Sequence, residues 1–310
     1  LTMANIIFAG TPEFSVPSLI ALTEIGCNPS LVITQPDRRA GRGKKIKKSP
    51  VKIAAENLQI PISQPVSINE SEYLEYLNQL DIEIIVVAAY GMIFSEELLA
   101  IPKLGCINIH ASLLPSWRGA SPVQATIMNG DKETGITLMK MTKGLDCGPI
   151  YSQHKMKLTQ TESGDVLMEM LGNLGAKAIR NDFKSILKQN LKAESQINSK
   201  ASYSGKIDKK DAKLDWSKSS EILAREVRAF NSNPGAYFIY KNEAIKCWHA
   251  IPKDTDSLPG RVISSDKNGI EIGCGSGSLV MLELQRPGKR RITAGEFAAQ
   301  VDMNNKELLS

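Results

Sequence analysis

Short apolar runs closed by glycine or proline alternate with stretches of helical periodicity through the first 190 residues, and the pattern then changes. Asn5-Ile-Ile-Phe-Ala-Gly10 reads as a strand. A turn at Thr11-Pro12-Glu13 and a helical stretch to about Leu22 follow, which together open a βα unit. Residues 31–34 read as the next strand, 51–58 and 73–80 as short helices, and 82–89 as a continuous apolar strand of the kind parallel sheets bury. Cys106-Ile-Asn-Ile-His110 reads as a strand running out into a loop, with further strands at 135–139 and 149–152. Residues 164–187 place Leu167, Met170, Leu171, Leu174 and Ala178 at helical spacing, with Phe183 beyond, a stripe for core packing. Strands alternating with helices across residues 4–190 predict a Rossmann-like α/β domain with a mostly parallel sheet.

Residues 191–207 are polar, rich in Ser and Lys and aperiodic, and read as a linker. Beyond them one helical stripe (Ile222, Leu223, Val227, Phe230) precedes short strands at 236–240, 244–250, 260–263, 269–273 and 278–284. Such a run of short strands predicts a small OB-fold-like β-barrel domain over 208–310, with Gly273-Cys-Gly-Ser-Gly277 as a hairpin turn. The expected organisation is therefore a catalytic domain at 1–190, a linker at 191–207 and a second domain at 208–310.

Composition narrows the setting. A hydrophobic share of 42% with 23% charged residues is that of an ordinary globular chain. No apolar run reaches the roughly 18 residues of a membrane span, and the N-terminus lacks the basic region and cleavage site of a secretory signal. Met3 reads as the native start, with Leu1 and Thr2 as an extension. The five cysteines are scattered without a CxxC pair, which argues against a disulfide framework or a zinc site. The expectation is a cytoplasmic, soluble protein, monomeric, with no metal. The formal charge of +5 hints at an anionic partner, and its placement says more than its sum. Residues 35–48 hold seven Lys or Arg against one acid, Asp37. This aperiodic loop, including Arg38, Arg42, Lys44 and Lys45, follows the strand at 31–34 and so sits at the carboxyl end of the sheet, where open α/β folds bind ligands. It suits a polyphosphate partner, holding backbone rather than stacking bases.

Asn108 and His110 share one face of their strand, because side chains two apart point the same way. Asp146 lies beyond them in a glycine-flanked turn. An Asn amide can stabilise a carbonyl oxygen gaining negative charge, a His can move protons near neutral pH, and a carboxylate can orient the imidazole or accept a proton. No Ser or Cys in a nucleophile-elbow setting accompanies them, so a covalent intermediate is not indicated. From residue types and spacing alone, His110 is equally readable as a satisfied core residue.

Asn108-Ile-His110, Ser112-Leu-Leu-Pro115, Arg118-Gly119 and Leu145-Asp-Cys-Gly148 resemble the signature of the folate-dependent formyltransferases. The resemblance implies formyl transfer from 10-formyltetrahydrofolate to an amine, with Asn108, His110 and Asp146 as the catalytic trio. It also implies that Ser112, Leu113, Leu114 and Pro115 lie against the folate. Tyr90 and Gly91, after the buried strand, are expected to wall the flat pterin ring. Cys147 departs from the Thr more usual in that signature. Gly10-Thr-Pro-Glu-Phe, Trp216, 228–236 and 285–294 are similar to landmarks of the branch of this family that acts on methionyl-tRNA, although Ser232-Asn233 replaces the expected Pro-Trp. That likeness implies initiator methionyl-tRNA as partner, with Lys289 and Arg290 of a second basic cluster as RNA contacts. The expected mechanism is direct amine attack on the formyl carbon. Asn108 and a protonated His110 would hold the oxyanion, and Asp146 would take the amine proton through water. Two alternatives stay open: a formyltransferase acting on a sugar-nucleotide or other small amine, and a non-enzymatic RNA-binding protein.

Overall fold

The computed structural model describes residues 4–40, 45–301, 303 and 309. The chain folds into two compact units, residues 1–122, 133–157 and 168–204 forming the first and 123–132, 158–167 and 205–310 the second.

The first unit opens with β1 (Ile6–Gly10), α1 (Val16–Glu24) and β2 (Leu31–Ile33). A hairpin of β3 (Arg38–Ala40) and β4 (Lys45–Lys47) follows, then α2 (Pro50–Asn57), β5 (Ile62–Ser63), α3 (Ser71–Asn78) and β6 (Ile84–Ala88). Next come α4 (Glu96–Ala100), β7 (Cys106–His110), β8 (Arg118–Gly119) and, leading into the other unit, α5 (Pro122–Asn129). The unit is completed by β9 (Glu133–Lys140), β10 (Ile150–Lys157), most of α6 (Gly164–Leu187) and β11 (Tyr203–Ser204).

Seven strands make one sheet in the order β10-β9-β7-β6-β1-β2-β5. The β5 to β7 portion is parallel, while β9 and β10 run antiparallel. Every residue of β1 and of β6 is buried, which is why both read as unbroken apolar runs rather than alternating ones. One face packs Ile7, Ile33, Leu77, Ile85 and Leu98 into a common core. From β1 the chain moves outward through β2 to β5, then returns to the other side of β1 as β6 and β7. Their carboxyl ends meet at this reversal of strand order, where open sheets form a crevice. Local sequence fixes the supporting helices: Ser49 caps α2 by accepting from Lys52 N at 3.0 Å, and Pro50 fills the first turn, where its missing N–H costs nothing.

The basic stretch 35–48 differs from the aperiodic loop expected. Arg38 pairs with Lys47, and Arg39 with Ile46, in an antiparallel ladder. Dense charge hides the alternation, while the backbone still pairs. The hairpin base is tied down by Lys52 Nζ on Asp37 at 2.7 Å and by Gln64 Nε2 on Asp37 Oδ1 at 2.8 Å.

The second unit holds α7 (Ser220–Ala229), β12 (Tyr237–Tyr240), β13 (Glu243–Lys253), β14 (Val262–Asp266), β15 (Gly269–Gly273), β16 (Ser278–Gln285), β17 (Ile292–Thr293) and α8 (Ala294–Gln300). Its strands form an antiparallel half-barrel in the order β12-β13-β16-β15-β14, with β17 on β16. Gly273 to Gly277 turns β15 into β16, as expected. Among the described residues no helix is long and apolar enough to cross a membrane. All five cysteines are free, and among the described residues no group of His, Cys, Asp and Glu is arranged to hold a metal.

Candidate active site

A cavity of about 470 Å³ opens at the carboxyl ends of β6 and β7. Its walls are largely apolar, with Val87, Phe94, Met139 and Met141, while Asn108 and Asp146 supply polar groups. Tyr90 and Gly91 belong to the lining. Their backbone is held from behind, since Tyr90 O accepts from Thr11 Oγ1 at 3.0 Å and from Gln35 Nε2 at 2.9 Å. The Thr11 turn thus supports the cavity rather than facing it, and Gln35, at the foot of the basic hairpin, abuts the same wall.

β7 carries Asn108 and His110 to a common carboxylate. Asn108 Nδ2 lies 3.4 Å from Asp146 Oδ1, and His110 Nδ1 lies 3.7 Å from Asp146 Oδ2. Asp146 reaches them from the 144–148 turn with φ of 46°, a left-handed conformation that Asp tolerates better than most residues. Two glycines make the approach possible. A Cβ on Gly148 would fall 1.8 Å from Lys140 O, and one on Gly119 would fall 2.3 Å from Ser204 O. Gly119, with φ of 116°, directs its N–H onto Asp146 Oδ2 at 2.9 Å, a charge-assisted bond that leaves Oδ1 the freer oxygen.

His110 is 5% exposed and is absent from the cavity lining. Its Nε2 sits 3.1 Å from Trp117 O, which can only accept, so Nε2 carries the proton. Burial pushes the imidazole pKa below its ordinary value, against the opposing pull of the Asp146 carboxylate and the Trp117 carbonyl. The expected imidazolium therefore gives way to a neutral ring at pH 7, whose Nδ1 lone pair faces Asp146. At 3.7 Å that approach is longer than a hydrogen bond.

Ser112, Leu113, Leu114 and Pro115 lie outside the lining of this cavity. They form a bonded brace behind β7. Ser112 Oγ donates to Ser116 O at 2.6 Å, and Thr137 Oγ1 donates to Ser112 O at 2.7 Å. Leu114 N donates to Thr137 Oγ1 at 3.0 Å and Leu114 O accepts from Gln153 Nε2 at 2.7 Å. These bonds fix the turn next to β7. Arg42 and Lys44 lie outside the described residues; Lys45 falls in β4, and Arg38 in β3 is exposed. Lys289 and Arg290 line a separate cleft of about 270 Å³ with Arg286, Ile292 and Gln300. There Arg286 makes a two-pronged pair with Glu243 at 2.9 and 2.7 Å, and Arg290 reaches Glu296 at 3.2 Å.

Composition carries no signal for the role of residues 191–204, which are tightly bonded in the first unit. Glu194 and Ile150 exchange backbone hydrogen bonds at 2.8 Å, and β11 pairs with β8. Gln196 Nε2 donates to Asp146 O at 2.8 Å and Gly148 O at 2.7 Å. Polar residues without period cannot advertise partners that lie elsewhere in the chain.

The geometry can be set beside known proteins. Residues 4–181 match the formyl transferase family model, and 206–301 match the formyl transferase C-terminal domain. The methionyl-tRNA formyltransferase of Coxiella burnetii is 42% identical over 295 residues, covering 94% of each chain. That of Methylococcus capsulatus is 43% identical over 94% of this chain and 96% of its own. An N-formyltransferase from Helicobacter canadensis, solved with folinic acid and dTDP-3-aminofucose, shares the fold at a TM-score of 0.69 and 19% identity, over 92% of this chain and 100% of its own. Two family models covering most of the chain, and relatives this similar over nearly all of it, place the chain in the formyl transferase family.

Proposed function

We propose that this protein transfers the formyl group of 10-formyltetrahydrofolate to the amino group of initiator methionyl-tRNA. The observation that carries the reading is the identity of 42–43% along almost the full length of relatives named for that activity. The apolar cavity beside Asn108 and Asp146 supports it. A flat ring system can lie between the Tyr90–Gly91 backbone and the methionine side chains, with its reactive end toward Asn108.

In this reading the amine attacks the formyl carbon directly. Asn108 Nδ2 is spent on only a long contact to Asp146, so it is available to donate to the carbonyl oxygen as charge builds there. Asp146 Oδ1 accepts the proton lost by the amine, directly or through water. The tetrahedral carbon then breaks its bond to N10 of the folate, and Asp146 hands the proton to that nitrogen, which releases tetrahydrofolate and restores the carboxylate. His110, neutral and with Nδ1 3.7 Å from Asp146 Oδ2, backs the carboxylate from behind the cavity. Ser112 to Pro115 are assigned to the folate, with Leu113, Leu114 and Pro115 offering apolar side chains while the polar groups of Ser112 and Leu114 brace the turn. The basic stretch 35–48, with Arg38, Arg42, Lys44 and Lys45, is assigned to tRNA phosphates, as are Lys289 and Arg290 in the domain at 208–310.

A second reading, transfer to a sugar-nucleotide amine, has in its favour the likeness to the Helicobacter canadensis enzyme, which at 19% identity speaks for the fold alone. The test is formyl transfer from 10-formyltetrahydrofolate to methionyl-tRNA, initiator against elongator, with a sugar-nucleotide amine in parallel. Transfer confined to the initiator is the expected result. Transfer to the sugar amine with none to tRNA overturns the reading.

A further inference from the structure

We infer that Gln196 is a positioning residue for Asp146, an inference that rests on the proposed reaction. Gln196 does not line the cavity, yet its side-chain amide spans the space between a buried arginine and the turn that carries the carboxylate. At one end Oε1 accepts from Arg118 Nε at 3.1 Å and Nη2 at 2.8 Å. At the other, Nε2 donates one hydrogen to Asp146 O at 2.8 Å and one to Gly148 O at 2.7 Å. Both hydrogens and both lone pairs of the amide are used. The reversed orientation would set the NH₂ against guanidinium donors and the oxygen against two carbonyls, so the network permits one orientation.

Each end of this strut is itself anchored. Arg118 is 3% exposed, and its Nη2 also donates to Asn198 Oδ1 at 2.9 Å. The backbone on either side of Gln196 is fixed, by the Glu194–Ile150 exchange before it and by Arg118 N donating to Ser202 O at 2.9 Å after it. The turn it holds needs such a constraint. Asp146 sits in the left-handed region between Gly144 and Gly148, and flexible neighbours do not by themselves keep a residue there. Holding the Asp146 carbonyl fixes the direction of its side chain. Oδ2 then rests on Gly119 N–H, and Oδ1 stays free toward Asn108 and the cavity. The peptide following Arg118 supplies that N–H, so one residue pair sets both the carboxylate and its donor.

The test uses Gln196→Glu and Gln196→Met in the full chain. The glutamate still accepts from Arg118 and gains an ion pair, but it cannot donate to the Asp146 and Gly148 carbonyls. Gln196→Met keeps the length and loses both sets of bonds. The expected result is that both variants lose kcat by roughly 10- to 100-fold, with KM for folate donor and methionyl-tRNA within about threefold of wild type. Gln196→Glu sets a carboxylate oxygen against the two carbonyls and lowers the melting temperature, so kcat is compared at a temperature where circular dichroism shows both variants folded. In an Asp146→Asn background the Gln196→Glu change costs less than about threefold, because the two residues act as one unit. Wild-type kcat in Gln196→Glu, or an equal loss in both backgrounds, overturns the inference. A loss confined to KM overturns it as well. If the wild-type protein formylates no methionyl-tRNA, the proposed function fails instead, and the comparison separates the two failures.

Discussion

Asn108→Ala removes a side-chain donor from the cavity beside Asp146 while touching little else. The Asn108 amide makes a 3.4 Å contact with Asp146 Oδ1, at the long end for an N–H···O bond, so its loss costs folding only about 0.5–1 kcal/mol. The same amide directed at a carbonyl oxygen gaining a full charge is worth about 2.7–4 kcal/mol in the transition state, which corresponds to a fall in kcat of roughly 10²–10³. KM for the folate donor should move by less than about threefold, because the ring is held by the apolar wall rather than by Asn108. Asn108→Asp sharpens the test. A second carboxylate about 3.4 Å from Asp146 Oδ1 meets a repulsion on the order of 5 kcal/mol at an effective dielectric of about 20. The pair is then driven to share one proton between its facing oxygens at neutral pH, which takes both the donor and the acceptor away from the substrate. The aspartate variant should therefore be at least as impaired as the alanine one at pH 7.5. Steady-state kinetics with both substrates, beside urea unfolding of the same preparations, gives the needed split between turnover and stability. A turnover within about fivefold of wild type for Asn108→Ala, in a folded enzyme, would refute the oxyanion role.

Other expectations follow from the same geometry. Burial holds His110 neutral in the folded state, whereas the unfolded chain takes up a proton near pH 6.5. The sign is thus fixed: stability present above that value is lost as pH falls through the unfolded pKa toward the depressed folded one. Urea unfolding at pH 7.5 and 5.5 should show wild type losing stability relative to His110→Asn, and a flat or opposite difference would contradict the neutral ring. Gly119→Ala forces a Cβ to 2.3 Å from Ser204 O at a φ of 116°, adding strain of about 1–3 kcal/mol and displacing the N–H that holds Asp146 Oδ2. A lower melting temperature together with a fall in kcat is expected, and a wild-type profile would show that the N–H is not needed. Replacing both Lys289 and Arg290 by Gln should weaken tRNA binding and leave folate KM unchanged. The slope of log K against log salt should become shallower by about 0.7–0.9 for each phosphate no longer neutralised. An unchanged slope would remove the cleft from the RNA surface.

Much of this architecture could be read from the chain because it rests on local rules. The buried runs of β1 and β6 are apolar throughout, since both faces of a parallel sheet are covered. The stripe over 164–187 marks a helix whose observed limits, Gly164–Leu187, coincide with it. The period of two placed Asn108 and His110 on one side of a strand, and the structure brings both beside Asp146. Long-range facts were not legible in that way. That His110 lies behind the cavity and is neutral depends on what buries it, and burial is a property of the packed molecule. Ser112 to Pro115 are local in sequence, but the partners on β9 and β10 that brace them come from residues 137 and 153. Gln196 lies in a stretch whose composition resembles a linker, and its importance comes from three partners far away in sequence. Propensity and periodicity are written in neighbouring residues, so the sequence alone determined the elements and the candidate chemistry. Which side chain faces the cavity, which is spent on bracing and which charge state burial permits are set by contacts that exist only once the chain has folded.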